Sequence, residues 1–133
     1  MSAADVQAMR ATFDEMAEGD SMAILRMMDP EVRIYPRPEE PGVLDVYEGW
    51  QGAMDYAMNW YSQWEEYESE PVEFIDAGDH VLVVLRERGR MERDGVEVEQ
   101  DFSHSFRLVD GRVAEWRMYV THAQARAALG LSD

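Results

Sequence analysis

Residues 80–120, HVLVVLRERGRMERDGVEVEQDFSHSFRLVDGRVAEWRMYV, contain the pattern that decides the fold. Apolar and polar residues alternate along most of this stretch, which is the two-residue period of strands with one face on a core. Asp-Gly pairs at 94–95 and 110–111 interrupt the alternation, and Asp-Gly is favoured in tight hairpin turns. With a further turn at Ala77-Gly78-Asp79, the sequence predicts an antiparallel meander with strands at 67–76, 80–92, 96–109 and 112–121.

The residues before this meander have helical periodicity. The sequence predicts helices over 3–18, 50–65 and 123–129, and a short strand at 32–35. A further short helix follows Asp20. It carries Ile24, Leu25 and Met28 and ends before Pro30. Helices that precede a long meander indicate an α+β fold. We therefore expect one domain over 1–133, in which three N-terminal helices pack on the concave face of a curved antiparallel sheet.

The composition excludes several classes of function. The 133 residues carry a formal net charge of −16, which repels phosphate backbones and anionic membranes, so we expect no nucleic-acid or membrane partner. The chain has no cysteine and no lysine, which excludes thiol nucleophiles and Schiff-base lysines. No apolar run approaches the roughly 18 residues of a membrane helix. No signal-peptide pattern begins the chain, so we expect a cytoplasmic protein.

Four local patterns occur in order along nearly the whole chain. They are Glu18-Gly19-Asp20, MMDPEV at 27–32, YEGWQG at 47–52 and FRLVDGRV at 106–113. Together they resemble the SnoaL-like branch of the nuclear transport factor 2-like superfamily, which includes ketosteroid isomerase and polyketide cyclase relatives. The resemblance implies a cone-shaped domain whose helices and concave sheet face enclose a pocket. It implies no single chemistry, because this superfamily includes isomerases, cyclases, dehydratases, hydrolases and pure binding domains.

Strand parity predicts which side chains face that pocket. A two-residue turn at Asp94-Gly95 would place His104 opposite Leu85 and Phe102 opposite Glu87. This register brings the Glu87 carboxylate close to the imidazole of His104.

The second hairpin needs a different loop. A two-residue turn at Asp110-Gly111 would put His104 and Trp116 on opposite faces of the sheet. A three-residue loop at 109–111 puts both on the pocket face, and we predict that loop. The opposite, convex face then carries alternating charges, with Arg86, Arg88 and Arg90 beside Glu97, Glu99 and Asp101. Opposite charges on adjacent strands predict an ion-pair lattice and a self-complementary homodimer contact on this face.

His104 and Glu87 are the candidate catalytic residues. His104 is similar in position to the carboxylic acid in the oxyanion hole of ketosteroid isomerases. A neutral imidazole in an apolar pocket donates one hydrogen bond and accepts another, and its titration suits acid–base catalysis. A charged Glu87 within reach would orient the ring and raise its pKa. The alternatives are a structural His104 bonded to a loop carbonyl or to Tyr35, and a Glu87 in solvent at the rim.

Eight further side chains are candidates for contact with a small apolar or aromatic molecule. They are Tyr35, Trp60, Trp64, Leu85, Phe102, Phe106, Trp116 and Met118. The alternative for each is an ordinary place in the core. No trio of histidines and carboxylates has metal-ligand spacing, so we predict no metal, and the resemblance implies no cofactor.

The sequence also departs from the enzymes that it resembles. Tyr35-Pro36 stands where ketosteroid isomerases have their proton-abstracting aspartate, and Met118 stands where SnoaL-type cyclases have an aspartate. Three functions therefore stay open. They are a cofactor-independent lyase, isomerase or cyclase acting beside a carbonyl, a non-catalytic ligand-binding domain, and a dimeric assembly domain.

Overall fold

The computed structural model describes residues 2–40 and 42–131, which form four helices and six strands. The helices are α1 (Ser2–Ala17), α2 (Ala23–Arg26), α3 (Gly49–Tyr61) and α4 (His122–Ala128). The strands are β1 (Met28–Tyr35), β2 (Tyr47–Glu48), β3 (Trp64–Asp76), β4 (His80–Met91), β5 (Glu97–Val109) and β6 (Arg112–Tyr119). The predicted α+β fold is confirmed, and the short strand β2 is an addition to it.

The strands form one open, curved sheet in the order β2-β1-β6-β5-β4-β3. Strands β3 to β6 are the predicted antiparallel meander. One pair departs from the antiparallel arrangement, because β1 pairs with β6 in parallel. The chain leaves β1, passes through α3 and enters the meander at the far edge, so that β6 returns beside β1 in the same direction.

Two predicted boundaries are wrong near the sheet edges. The third helix ends at Tyr61 rather than at residue 65, and Trp64 begins β3 opposite Met91. Met28, which the periodicity placed in the second helix, begins β1 opposite Val113. Pro30 lies where the β1–β6 ladder is interrupted, and a residue without an N–H group is tolerated at such an irregularity.

The loop between β4 and β5 has four residues, 92–95, instead of the predicted two. The Met91 amide donates to the Val96 carbonyl at 2.9 Å and closes this loop. The longer loop shifts the register by two residues, so that His104 lies opposite Val83 and Phe102 opposite Leu85. A shift of two residues preserves the parity of the strand, and the predicted pocket face is unchanged.

The predicted three-residue loop between β5 and β6 is also wrong. The turn has two residues, Asp110 and Gly111, with φ of 52° and 78°, as a type I′ turn requires. A β-bulge adjacent to Arg107 leaves Ala114 as the extra residue of β6. This bulge, and not the turn, places His104 and Trp116 on the same face.

Helices α1 to α3 precede the meander and cover the concave face. Phe13 of α1 packs edge-on against Phe74 and Phe106, with ring centroids 5.9 and 6.3 Å apart. Tyr56 of α3 packs in the same manner on Tyr47, at 5.4 Å. Aromatic pairs at these separations join the helices to the sheet by specific geometry as well as by burial.

The convex face has a covered part and a charged part. Helix α4 covers β5, where the hydroxyl of Ser103 lies 3.1 Å from Nδ1 of His122. On β4, Arg86 pairs with Asp101 of β5 at 3.1 Å, as predicted. Arg88 and Arg90 pair instead with carboxylates of β3, Glu68 and Glu66, at 3.0 and 2.9 Å. These pairs are partly exposed, so each contributes little to stability.

Candidate functional site

A cavity of about 260 Å³ lies between the concave sheet face and helices α1 to α3. The sheet wall of the cavity carries its polar groups, among them His104 on β5 and Glu87 on β4. The helix wall is apolar and rich in methionine, with Met16 from α1 and Met54 and Met58 from α3. The strands therefore supply titratable groups to the cavity, and the helices supply an adaptable apolar surface.

His104 is held in one orientation by Trp116. The indole N–H of Trp116 donates to Nδ1 of His104 at 3.1 Å. Because an indole nitrogen only donates, Nδ1 is the unprotonated nitrogen and the proton of the neutral ring is on Nε2. Nε2 is buried, has no hydrogen-bond partner, and belongs to a ring that lines the cavity. The imidazole thus offers one unused N–H donor to a ligand.

Burial keeps this ring neutral. Loss of hydration lowers the pKa of His104 from 6.5 to about 3, and the positive charge of Arg37 acts in the same direction. The ring is therefore uncharged at neutral pH. It donates through Nε2 in the manner of a fixed dipole and does not act as an imidazolium acid.

Glu87 presents a free carboxylate oxygen at the same cavity. Its Oε1 accepts a hydrogen bond from the hydroxyl of Tyr67, whereas its buried Oε2 has no partner. Burial raises the pKa of Glu87, and the hydrogen bond from Tyr67 and the charge of Arg37 oppose that rise. Burial, with the charge of Glu87, also raises the pKa of Tyr67, so this phenol stays a donor.

Glu87 and His104 do not form the predicted pair. The observed register puts His104 opposite Val83, four residues along β4 from Glu87. Four residues of strand span about 13 Å, twice the separation that the predicted register implied. Burial, with the positive charge of Arg37, lowers the pKa of His104, whereas a neighbouring Glu87 would have raised it. Leu85, midway between the two positions on β4, lines the same cavity.

The structure brings five of the ten predicted site residues to the cavity. They are Trp60, Leu85, Glu87, His104 and Trp116. Trp60 comes from α3 and the other four come from the sheet.

The other five predicted residues do not line the cavity. Phe106 is fully buried in the core, and Trp64 packs on Trp60 and Tyr67. The sulfur of Met118 lies 3.1 Å from the hydroxyl oxygen of Tyr56. Tyr35 and Phe102 each lie under an arginine, Arg117 at 3.9 Å and Arg37 at 3.6 Å from the ring centre.

Arg37 is a cavity residue that the sequence did not indicate. It follows β1 in a loop between Pro36 and Pro38, yet only 5% of it is exposed. Its Nη2 lies 3.1 Å from Oε1 of Glu40, and the Tyr56 hydroxyl bonds the same carboxylate at 3.1 Å. Burial raises the pKa of Glu40, and the charge of Arg37 opposes that rise. A loop has no periodicity that reveals inward-facing residues.

The described residues contain neither a metal-binding cluster nor a membrane-spanning helix. Within 2–40 and 42–131, no group of three or more histidines or carboxylates is placed to hold a metal ion. No helix in the same ranges is long and apolar enough to cross a membrane.

The match to a known family decides the classification. The model of the SnoaL-like domain matches residues 9–116, which is most of the chain and includes both candidate catalytic residues. The chain belongs to the SnoaL-like domain family. No curated protein matches it.

Solved structures with this fold cover nearly the whole SnoaL-like chain. A nuclear transport factor 2-like protein from Burkholderia thailandensis E264 is 18% identical with a TM-score of 0.79, over 94% of this chain and 96% of that one. A candidate SnoaL-like polyketide cyclase from Jannaschia sp. CCS1 is 20% identical with a TM-score of 0.73, over 97% and 93%. A candidate isomerase from Bacillus subtilis is 18% identical with a TM-score of 0.71, over 99% and 97%. At such identities the likeness concerns the fold.

Proposed function

We propose that this SnoaL-like protein binds a small, largely apolar molecule and acts on it as a cofactor-independent isomerase, cyclase or lyase beside a carbonyl. One observation carries the proposal. Two buried polar atoms without protein partners, Nε2 of His104 and Oε2 of Glu87, belong to side chains that line the same apolar cavity. Unpaired buried polar groups are costly to the folded state, and a ligand that pairs both of them removes that cost.

The two groups have complementary roles in this reaction. Oε2 of Glu87 takes a proton from the carbon next to the carbonyl, and the electrons of that C–H bond form a carbon–carbon double bond. The π electrons of the carbonyl move to its oxygen, which accepts a hydrogen bond from Nε2–H of His104. Return of the proton to another carbon completes an isomerisation. Alternatively, the enolate carbon attacks a second carbonyl, whose π electrons move to its own oxygen, and that oxygen takes the proton from Glu87 to complete a cyclisation.

The environments of both groups suit these roles. Burial raises the pKa of Glu87 above its ordinary value. A carboxylate with a higher pKa is a stronger base. Burial also keeps His104 neutral, as an electrophilic donor requires. The roughly 13 Å between the two strand positions is bridged from both ends by side chains that line the cavity, which leaves space between them for a carbonyl and its neighbouring carbon.

A binding protein without turnover is the second candidate. The hydrogen bond from Tyr67 to Glu87 favours it, because this bond stabilises the carboxylate and weakens it as a base. The names of a candidate polyketide cyclase and a candidate isomerase among proteins of this fold favour the enzyme.

Proton exchange separates the two candidates. The probe is 2-tetralone in D₂O, with loss of its α-proton signals followed by NMR at neutral pH. We expect wild type to accelerate exchange and Glu87→Gln, which retains an acceptor for Tyr67, to lose about 10²-fold or more of that acceleration. Glu73→Gln, a change at an exposed carboxylate of β3, is the matched control and should exchange like wild type. Binding of 2-tetralone without accelerated exchange would support the binding protein and reject the enzyme.

A further inference from the structure

Arg37 lines the cavity but has no part in the proton transfer proposed above. Its guanidinium lies 3.6 Å from the ring centre of Phe102 and 5.4 Å from that of Trp60. A guanidinium stacked on aromatic rings keeps the N–H groups at its edges available for hydrogen bonds. Phe102 and Trp60 therefore fix the orientation of a planar donor at the cavity wall.

The donors of Arg37 exceed the acceptors that the protein supplies. Among the described residues, Glu40 is the one acidic partner of this guanidinium, through Nη2 alone. A guanidinium has five N–H donors, and nearly all of the Arg37 side chain is shielded from bulk water. The Arg37 side chain lines a cavity whose lining is mainly apolar.

A second unpaired donor lies in the same cavity. Nε2–H of His104 has no partner, and the charge of Arg37 acts on the His104 ring. The positive charge of Arg37 and the neutral N–H donor of His104 thus belong to side chains that line the same cavity. A ligand that supplies two oxygens, at least one of them charged, satisfies this arrangement better than a neutral ligand does.

We propose that the cavity takes a ring-sized carboxylic acid, whose carboxylate pairs with Arg37 while the rest of the ring system lies between His104 and Glu87. A carboxylate is planar and matches the fork of a guanidinium with two parallel hydrogen bonds. This inference rests on the proposed function only in using the same cavity, and it names the substrate class. Arg37 acts in it as a specificity residue.

Arg37 and Glu40 form a buried ion pair, and replacing both partners together tests the role of Arg37 without unfolding the protein. Removal of Arg37 alone would leave the buried Glu40 carboxylate without its counter-charge, which destabilises a protein strongly. The double variant Arg37→Met/Glu40→Gln replaces the whole ion pair, and its glutamine still accepts from Tyr56. Glu40→Gln alone releases Arg37 from its internal partner and should strengthen the binding of an external carboxylate.

The experiment compares 2-naphthoate with its neutral isostere 2-naphthamide by isothermal titration calorimetry at low salt. Wild type should prefer the carboxylate by about tenfold, the ratio expected for one charge-assisted hydrogen bond. Glu40→Gln should widen this ratio, and the double variant should reduce it to about one. Arg10→Met is the matched control, because Arg10 also stacks on a ring, that of Phe74, but is exposed. It should preserve the wild-type ratio.

Each result has a distinct meaning. Equal affinity of wild type for the two probes, or an unchanged preference in the double variant, would overturn the carboxylate inference and leave the proposed function standing. Failure of both probes and of 2-tetralone to bind wild type would overturn the inference and the proposed function together. If the double variant fails to fold by circular dichroism, wild type and Glu40→Gln decide, and a Glu40→Gln ratio no larger than wild type counts against the inference.

Discussion

Replacement of His104 by glutamine should change how the stability of this protein depends on pH. The pKa of His104 in the folded state is about 3, against 6.5 for an ordinary histidine. Below pH 6.5 the unfolded chain therefore binds a proton that the native ring refuses. The stability tied to this group is fully present above pH 6.5 and is lost as the pH falls towards 3.

The magnitude follows from the width of that interval. Each pH unit within it changes the free energy of unfolding by about 1.4 kcal/mol. Between pH 7 and pH 5 the loss is therefore about 2 kcal/mol, because the effect begins near pH 6.5. His104→Gln removes the titration and still accepts a hydrogen bond from Trp116. Glu40 and Glu87, whose raised pKa values act in the opposite sense, are present in both proteins and cancel in the comparison.

Urea denaturation followed by circular dichroism at pH 7, 6 and 5 measures the effect. The free energy of unfolding of wild type minus that of His104→Gln should fall by about 2 kcal/mol across this range. His80→Gln is the control, since His80 lies at the start of β4 beside Asp79 and outside the cavity. A difference between wild type and His104→Gln that stays within about 0.5 kcal/mol at all three pH values would show that the ring is not a buried, neutral group.

Three further predictions concern other parts of the molecule. Gly89→Ala should lower the free energy of unfolding in urea by about 1–3 kcal/mol, because the added Cβ would lie 2.3 Å from the carbonyl oxygen of Glu66. An unchanged free energy of unfolding would mean that β3 lies farther from β4. Trp116→Phe should release the tautomer of His104, and ¹⁵N NMR should change from a pure Nε2–H pattern to a mixture; an unchanged pattern would mean that Trp116 does not orient the ring. We also propose that two copies of the chain form a homodimer through the charged convex face. Light scattering at micromolar concentration should then give a mass of about twice 15.4 kDa. A monomeric mass at low salt would contradict this dimer.

Local signals predicted most of the fold. Alternation and the Asp-Gly pairs predicted the meander, and the assumed turn at Asp94-Gly95 put His104 and Glu87 on the same face although its length was wrong. Parity is robust because an error of two residues leaves it unchanged. The distance between the two side chains depends on the register itself. That register followed from a four-residue loop that the Asp94-Gly95 pair did not reveal.

The remaining features of the site are set by contacts distant in sequence. Arg37 faces inward because its guanidinium stacks on Phe102 and pairs with Glu40. No pattern in a proline-rich loop predicts these contacts. The donor for Nδ1 of His104 is Trp116, whose place relative to the ring depends on a bulge at Ala114. A single inserted residue in a strand has no sequence signature as clear as a turn.

The division of the cavity into a polar sheet wall and a methionine-rich helix wall bears on how new specificities can arise. Met16, Met54 and Met58 contribute shape but none of the unpaired polar atoms. Mutant libraries confined to these three positions would therefore resize the chamber while the backbone hydrogen bonds of the strands keep His104 and Glu87 in place. Unbranched thioether side chains tolerate such exchanges well. Under the proposed function, selection at these three positions would change the shape of the accepted ligand while His104 and Glu87 stay in place.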